Sequence, residues 1–297
     1  MKRSQHRMPK TLHRNAYPSD LTDEQWALLE PLVPALSPEA AYQVHERREI
    51  VNAILYVLRS GCPWRMLPHE FPAWGTVYSY FRRWQREGVW DHSLRALRMQ
   101  VRAIRKAEMK SRAPRLSTVN RSKPVRFGVG KRASIWGKKI WGRKRHALVD
   151  TQGNLLAVKV TGAERSDQEG GRPLLKPLKE LLPRLKLVWG DSHYGGTFRM
   201  WAKITLGWTI QTIKALTVPK RGLLVSEGEE VDWEKLFPTG FRPQPRRWVI
   251  ERTFSWIIRW RRLCRDHEGL PSCSEALIKI AMGSRMVNIL APPHFLY

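Results

Sequence analysis

The sequence predicts an α/β protein in which a central mixed sheet with flanking helices follows a small all-α domain. Two features of the chain predict this order. Up to about residue 108 the apolar residues recur at helical spacing, whereas beyond Lys110 they form short runs bounded by Gly and Asn, as strands do. With 42% hydrophobic residues and 14 Trp among 297 residues, the chain can bury a substantial core.

The first part of the chain predicts four helices. The first begins at Thr22, whose hydroxyl can cap the amide near Gln25, and the others span about 46–60, 75–87 and 91–106. The third helix turns Arg82, Arg83 and Arg86 outward. Two interpretations of this basic face stay open: the second helix of a DNA-binding helix-turn-helix, or the solvated face of an ordinary helix.

The second part of the chain predicts alternating strands and helices. Strands are expected at 115–121, 146–151, 154–161, 185–190 and 209–214, and helices at 167–182, 196–204, 247–265 and 274–290. Residues 215–245 have no sustained period and predict an insertion. This order is that of a ribonuclease H-like fold. It divides the chain into a basic N-terminal arm (1–16), a helical domain (17–108) whose basic face is the candidate for DNA binding, and a ribonuclease H-like domain (109–297).

The charge distribution predicts a nucleic-acid partner. The formal net charge is +27, and residues 109–149 contain thirteen Lys and Arg without one Asp or Glu. Within this basic run the densest stretch, 137–146, offers these candidates for phosphate contact: Lys138, Lys139, Arg143, Lys144 and Arg145. Constitutive RNA binding is the alternative interpretation.

Cysteine usage and hydropathy predict a soluble, cytoplasmic protein. Three cysteines without Cys-x-x-Cys spacing predict neither a disulfide framework nor a zinc knuckle. No apolar run is long enough for a membrane span, and the basic start is not followed by the apolar segment of a signal peptide. No membrane partner is therefore expected.

Two carboxylates stand where metal-dependent phosphoryl transfer needs them. Asp191 follows a buried strand of the parallel type, and functional groups gather at that edge of an open α/β sheet. Glu251 lies early on the helix predicted at 247–265. Together they predict oxygen ligands for Mg²⁺ or Mn²⁺ in a two-metal site. Taken singly, a capping Asp and a salt bridge of Glu251 with Arg247 or Arg252 are the simpler interpretations.

The remaining polar candidates and two tryptophans are interpreted from their immediate sequence context. Asp150 borders the hairpin turn and Asp167 is expected to cap a helix. His146 and His193 are expected to form hydrogen bonds to DNA or backbone rather than to act as general bases. Trp136 and Trp141, which lie among lysines, are interpreted either as base-stacking or as core residues.

Several motifs resemble one known family. They lie at residues 17–26 (YPSDLTDEQW), 52–61 (NAILYVLRSG), 64–68 (WRMLP), 137–146 (GKKIWGRKRH) and 246–254 (RRWVIERTF). The chain resembles DDE-type transposases of bacterial insertion sequences, in the insertion-sequence-five group. This resemblance implies that Asp191 is the second acidic metal ligand and Glu251 the third, and that Arg247 and Arg259 contact phosphates of the transposon ends. It also implies a homo-oligomer that works on double-stranded transposon ends and target DNA in the bacterial nucleoid.

One position departs from the family pattern. The family carries an Asp on the first strand, and here Asn120, 26 residues before His146, stands at that position. An amide cannot supply the negative charge that holds two divalent ions beside a phosphate. The sequence therefore predicts a transposase with impaired strand transfer. The alternative is a catalytically silent end-binding protein or repressor derived from a transposase.

Overall fold

The computed structural model describes residues 14–34, 46–108, 116–120, 134–135, 140–212 and 248–293. The first two ranges contain the helices α1 (Asp23–Leu29), α2 (Arg47–Ser60), α3 (Trp74–Arg86) and α4 (Val89–Glu108). The predicted cap at Thr22 is confirmed, because its side chain accepts a hydrogen bond from the Gln25 N–H while the Gln25 side chain accepts one from the Thr22 N–H. Helix α2 ends at Gly61, whose φ of 79° suits a glycine.

A five-stranded sheet forms the centre of the second part. Its strands are β1 (Leu116–Asn120), β4 (Arg143–Asp150), β5 (Leu155–Gly162), β6 (Leu187–Gly190) and β7 (Thr209–Thr212), in the spatial order β5-β4-β1-β6-β7. Strand β4 is antiparallel to both of its neighbours, β1 and β5, whereas β5, β6 and β7 run in the same direction as β1. Two short strands, β2 (Ser134–Ile135) and β3 (Ile140–Trp141), pair separately. The sheet is therefore mixed, as the sequence predicts.

Helices α5 (Asp167–Leu175), α6 (Leu178–Leu181), α7 (Thr197–Leu206), α8 (Trp248–Ile258), α9 (Arg261–Cys264) and α10 (Pro271–Leu290) complete the described fold. Two helices that the sequence predicts as continuous are each divided in the structure. The helix expected at 167–182 is divided near Pro177, which has no N–H to continue the hydrogen-bond ladder. The helix expected at 247–265 is divided at Arg259 and Trp260 into α8 and α9.

Hydrophobic residues fill both faces of the sheet. On one face, Ala147 and Val149 of β4 pack in one cluster with helices α2, α3, α4, α8 and α10. On the other face, Leu148 packs with α5, α6 and α7. The alternation of β4 residues between the two clusters follows the two-residue period of a strand. The N-terminal helices thus share a core with one sheet face, while the division into domains stays a prediction.

Some predictions fall outside the described residues. These are the insertion at 215–245, most of the N-terminal arm, the start of the helix expected at 247, and the side chains of Trp136 and Trp141. Among the described helices, none combines the length and apolar character that a membrane crossing requires.

Candidate metal-binding active site

The site lies at the edge of the sheet where β1 and β6 end. Because these strands are parallel, with Leu116 opposite Val188 and Ser117 opposite Trp189, the residues that follow β6 emerge beside the end of β1. Asn120 is the last residue of β1 and is paired with His146 of β4. Asp191 directly follows β6. The backbone therefore brings the position of Asn120 and that of Asp191 to one edge of the sheet.

Asp191 begins a 3-10 turn that spans Ser192–Tyr194. Its Oδ1 accepts a hydrogen bond of 2.9 Å from the His193 N–H, so the carboxylate caps the turn. The Asp191 side chain is 18% exposed. It is thus partly shielded, yet it still faces the solvent from which a ligand would arrive.

Two further side chains converge on Asp191. His193 Nδ1 lies 3.4 Å from Asp191 Oδ1 and 3.9 Å from Asp167 Oδ2. Ligand atoms of Asp167, Asp191 and His193 all lie within 4.8 Å of one another. Asp167 is not the helix cap that the sequence predicts, because Ser166 is the capping residue and its side chain accepts a hydrogen bond from the Glu169 N–H. The Asp167 carboxylate is therefore available to the cluster.

Close packing brings α5, and with it Asp167, to this edge. A Cβ at Gly170 would collide with the imidazole of His146, and one at Gly171 would lie 2.8 Å from the Tyr194 ring. The Gln168 side chain also donates a 3.0 Å hydrogen bond to the carbonyl of His193. The two glycines let the helix approach the sheet, and Gln168 ties it to the turn that follows Asp191.

Two residues of β4 lie next to the cluster of Asp167, Asp191 and His193. Lys144 Nζ lies 3.3 Å from Asp167 Oδ1 and donates a hydrogen bond of 2.6 Å to the Arg165 carbonyl. His146 is fully buried, with Nε2 2.9 Å from the Thr161 hydroxyl, and burial lowers its pKa to about 4. The expected hydrogen bond of His146 to DNA or backbone is therefore replaced by one to a side chain.

On the opposite face of β4, two arginines of the basic run contact the protein itself. Arg143 donates hydrogen bonds to Asp266 and to the Glu268 and Gly269 carbonyls. Arg145 is 3% exposed and donates to the Leu263 carbonyl, and burial lowers its pKa. In this structure both guanidinium groups bind the protein itself. Lys138 and Lys139 lie outside the described residues.

The predicted DNA-facing arginines of α3 differ from one another. Arg82 is half-buried and donates to the Cys273 sulfur, so it points inward rather than outward. Arg83 and Arg86 are exposed, and Arg83 pairs with Glu87 one turn along the helix. Arg259, after α8, is exposed too, whereas Arg247 lies outside the described residues. Contact of these side chains with DNA stays a prediction.

Glu251 is exposed on α8, which packs against β1. Two residues further on, Thr253 donates a hydrogen bond of 3.0 Å to the carbonyl of Gly153 in the β4–β5 turn. This turn lies beyond the Leu116 end of β1, whereas Asp191 emerges at the Asn120 end. Within the described residues, Glu251 does not belong to the group formed by Asp167, Asp191 and His193. Its role as a metal ligand stays a prediction.

The chemistry of the cluster fits a divalent cation. With metal–ligand distances of about 2.1 Å, two ligands of one octahedral ion lie about 3.0 Å apart when adjacent and about 4.2 Å apart when opposite. The separations of 3.4 and 3.9 Å fall in this range. Asp167 Oδ1 is buried and accepts no hydrogen bond from the described residues, although the Lys144 ammonium lies 3.3 Å away. Asp167, Asp191 and His193 would be the ligands.

Comparison with known proteins gives the family. The profile named "Transposase DDE domain" matches residues 122–284, more than half of the chain. The chain belongs to this transposase family. A second profile, "Putative transposase of IS4/5 family", matches residues 21–94. The predicted resemblance to insertion-sequence transposases is confirmed.

One curated relative gives a more local similarity. The chain is 35% identical over 89 residues to the "Insertion element IS402 uncharacterized 16.2 kDa protein" of Burkholderia cepacia. The match covers 28% of this transposase and 60% of the length of the relative. No solved structure matches the chain.

Proposed function

We propose that this chain binds the ends of an insertion sequence and carries out metal-dependent DNA cleavage and strand transfer, with activity reduced by Asn120. The observation that carries the proposal is the shared edge at which β1 and β6 end, beside Asp167 and His193, in a chain of the transposase family. The strand order β5-β4-β1-β6-β7, in which β4 alone of the five strands runs in the opposite direction, supports a ribonuclease H-like fold for the catalytic part.

The proposed reaction is an in-line displacement at phosphorus. A divalent cation at the site would activate the attacking oxygen and stabilise charge on the leaving oxygen. The carboxylate of Asp191 would bind this cation. The family resemblance, rather than its position in this structure, is the reason that we propose Glu251 of α8 as a further ligand. Exposed arginines, among them Arg83, Arg86 and Arg259, would hold the phosphate backbone. The first cut would free a 3′ hydroxyl, which then attacks target DNA.

The test of this function is cleavage of DNA that contains the insertion-sequence ends, measured with Mn²⁺ and Mg²⁺. We expect weak cleavage by the natural sequence, a gain of roughly tenfold or more for Asn120→Asp, since this restores a carboxylate, and loss of the gain when Glu251→Gln is added. A matched control is Asn288→Asp, which adds the same charge at an exposed position of α10 and keeps the oxygen that accepts a hydrogen bond from Gln25. No difference between Asn120→Asp and the natural sequence would contradict the proposal.

A catalytically silent end-binding protein is the second candidate. Asn120 favours it, because the chain has an amide where the family has its first carboxylate. Such a protein would occupy transposon ends without metal and block an active relative. Metal-independent binding to the ends, together with no cleavage by either the natural chain or Asn120→Asp, would decide for this candidate.

A further inference from the structure

Asp167 has the features of a metal ligand rather than of a helix cap. Its side chain is 9% exposed, and capping of α5 is carried out by Ser166. The Oδ1 atom has no hydrogen-bond donor among the described residues, although buried carboxylate oxygens are normally hydrogen-bonded. Lys144 lies 3.3 Å from Oδ1 but directs its hydrogen bond to the Arg165 carbonyl. The carboxylate is therefore held near a positive charge without a hydrogen bond of its own.

The position of Asp167 is fixed from three sides. Gly170 and Gly171 let α5 lie directly on His146 and Tyr194, and Gln168 is bonded to the carbonyl of His193. A flexible surface acid would instead sample many rotamers. Because α5 and the turn after Asp191 are tied together, the Asp167 and Asp191 carboxylates keep their relative positions before any ion arrives. Such preorganisation lowers the cost of binding.

We propose that Asp167, Asp191 and His193 together hold one divalent cation, and that Asp167 supplies the negative charge that Asn120 does not. The proposal deepens the function proposed above and rests on it for what the cation does, but cation binding itself needs no catalysis. Two carboxylates and one imidazole form a mixed oxygen and nitrogen ligand set. Imidazole favours transition metals over Mg²⁺, so the site should prefer Mn²⁺.

Lys144 limits the affinity of this site. Its ammonium group beside Asp167 offsets one of the two carboxylate charges and repels a cation. Removal of this charge should therefore strengthen binding, whereas removal of either carboxylate should weaken it. This opposite response distinguishes a cation site from a purely structural Asp167–Lys144 ion pair, in which both substitutions would only lower stability.

The experiment measures Mn²⁺ and Mg²⁺ binding to the full chain by calorimetry, with Mn²⁺ paramagnetic resonance as a second readout. We expect Asp167→Asn to weaken Mn²⁺ binding by at least about tenfold and Lys144→Met to strengthen it by roughly tenfold. The matched control is Asp91→Asn, which removes an exposed carboxylate paired with Lys279. An unchanged Mn²⁺ affinity in Asp167→Asn would overturn the inference.

A second variant covers the case in which Asp167→Asn does not fold. His193 is 51% exposed, so His193→Gln should fold normally. We expect it to weaken Mn²⁺ binding several-fold while Mg²⁺ binding changes little, which lowers the preference for Mn²⁺. Equal losses for both ions, or no loss for Mn²⁺, would contradict the proposed ligand set.

The outcomes separate this inference from the proposed function. If Asp167→Asn loses Mn²⁺ and neither the natural chain nor Asn120→Asp cleaves DNA, the metal site stands and the enzymatic function fails. If Asn120→Asp cleaves DNA while Asp167→Asn binds Mn²⁺ normally, the function stands and the role of Asp167 fails.

Discussion

His146 lies close to the candidate metal site, but its contacts stabilise the fold. It is fully buried, its ring lies against Gly170, and its Nε2 is 2.9 Å from the Thr161 hydroxyl. Burial lowers its pKa to about 4; the nearby Asp167 opposes this shift and Lys144 adds to it. The folded protein therefore keeps this histidine neutral at pH values where the unfolded chain protonates it.

This shift predicts an acid-dependent loss of stability. Below the ordinary pKa of 6.5 the unfolded chain protonates His146, whereas the folded protein does so only near its lowered pKa of about 4. The free energy of unfolding is therefore unaffected by this histidine above pH 6.5 and decreases as the pH falls from 6.5 to 4. The loss should be on the order of 3 kcal/mol. Urea denaturation at several pH values would measure it.

The control is His146→Gln, which can still share a hydrogen bond with Thr161 but does not titrate. Its free energy of unfolding should fall less steeply with acid than that of the natural protein. Identical pH dependences for the two proteins would show that His146 is not the source.

Asn120 and Asp167 show what could be known of single site residues beforehand. The position of Asn120 followed from its spacing to His146 and from the resemblance, and the structure pairs the two residues on neighbouring strands. Asp167 could not be assigned in the same way, because an Asp after a Ser at a helix start is usually part of a cap. A possible signal is Gly170-Gly171, which permits close approach of α5 to the sheet.

Among the secondary-structure elements, β4 determines which groups the basic residues 143–145 contact. The strand begins at Arg143, three residues earlier than predicted, so residues 143–146 alternate between the two faces of the sheet. Arg143 points to the segment after α9 and Arg145 to α9 itself, whereas Lys144 and His146 point to α5. Charge density alone could not reveal this, because the acidic and carbonyl partners lie more than a hundred residues away for both arginines.

This arrangement predicts that Arg143 contributes to stability rather than to DNA affinity. Asp266 is 6% exposed, so Arg143→Met would leave a buried carboxylate without one of its partners. We expect a loss of roughly 3 kcal/mol in the free energy of unfolding. For Arg86→Met, on the exposed face of α3, the expected change is below about 0.5 kcal/mol.

Urea denaturation of both variants measures the difference, and DNA binding is then compared under conditions in which both remain folded. Arg143→Met should bind non-specific DNA as the natural protein does. Weaker DNA binding by folded Arg143→Met, with unchanged stability, would instead support contact between Arg143 and DNA phosphate.

At the scale of the whole molecule, the N-terminal helices and the last helices form one packed unit. Arg262 and Glu268, both 7% exposed, form a buried ion pair, and Arg262 also donates to the Cys62 carbonyl at the end of α2. Close by, a Cβ at Gly61 would lie 2.9 Å from the Cβ of Arg261. The end of α2 thus packs directly against α9.

The overall charge predicts steeply salt-dependent DNA binding. With a net charge of +27 and about six phosphate contacts, affinity should fall by roughly 10³ between about 50 and 200 mM salt. If Arg83 and Arg86 both contact phosphate, Arg83→Ala with Arg86→Ala should reduce the slope of log K against log salt by about 2. Fluorescence anisotropy with duplex DNA would measure these slopes.

A matched control removes the same charge from another exposed helix face. Arg199 and Lys203 are exposed on α7, so Arg199→Ala with Lys203→Ala tests the effect of net charge alone. An equal decrease of slope in both double variants would argue against a specific role of α3. A flat salt profile for the natural protein would contradict phosphate binding altogether.

Periodicity and motifs are local properties of the chain, and they were sufficient to predict the helices, the mixed sheet, the family and the strand end that carries Asp191. Which polar side chains meet depends instead on how the whole chain packs. Asp167 joins Asp191 because α5 packs closely on β4, and Arg143 and Arg145 turn inward because their partners lie on α9 and the segment after it. Such partnerships depend on contacts between residues distant in sequence, and no local pattern records them.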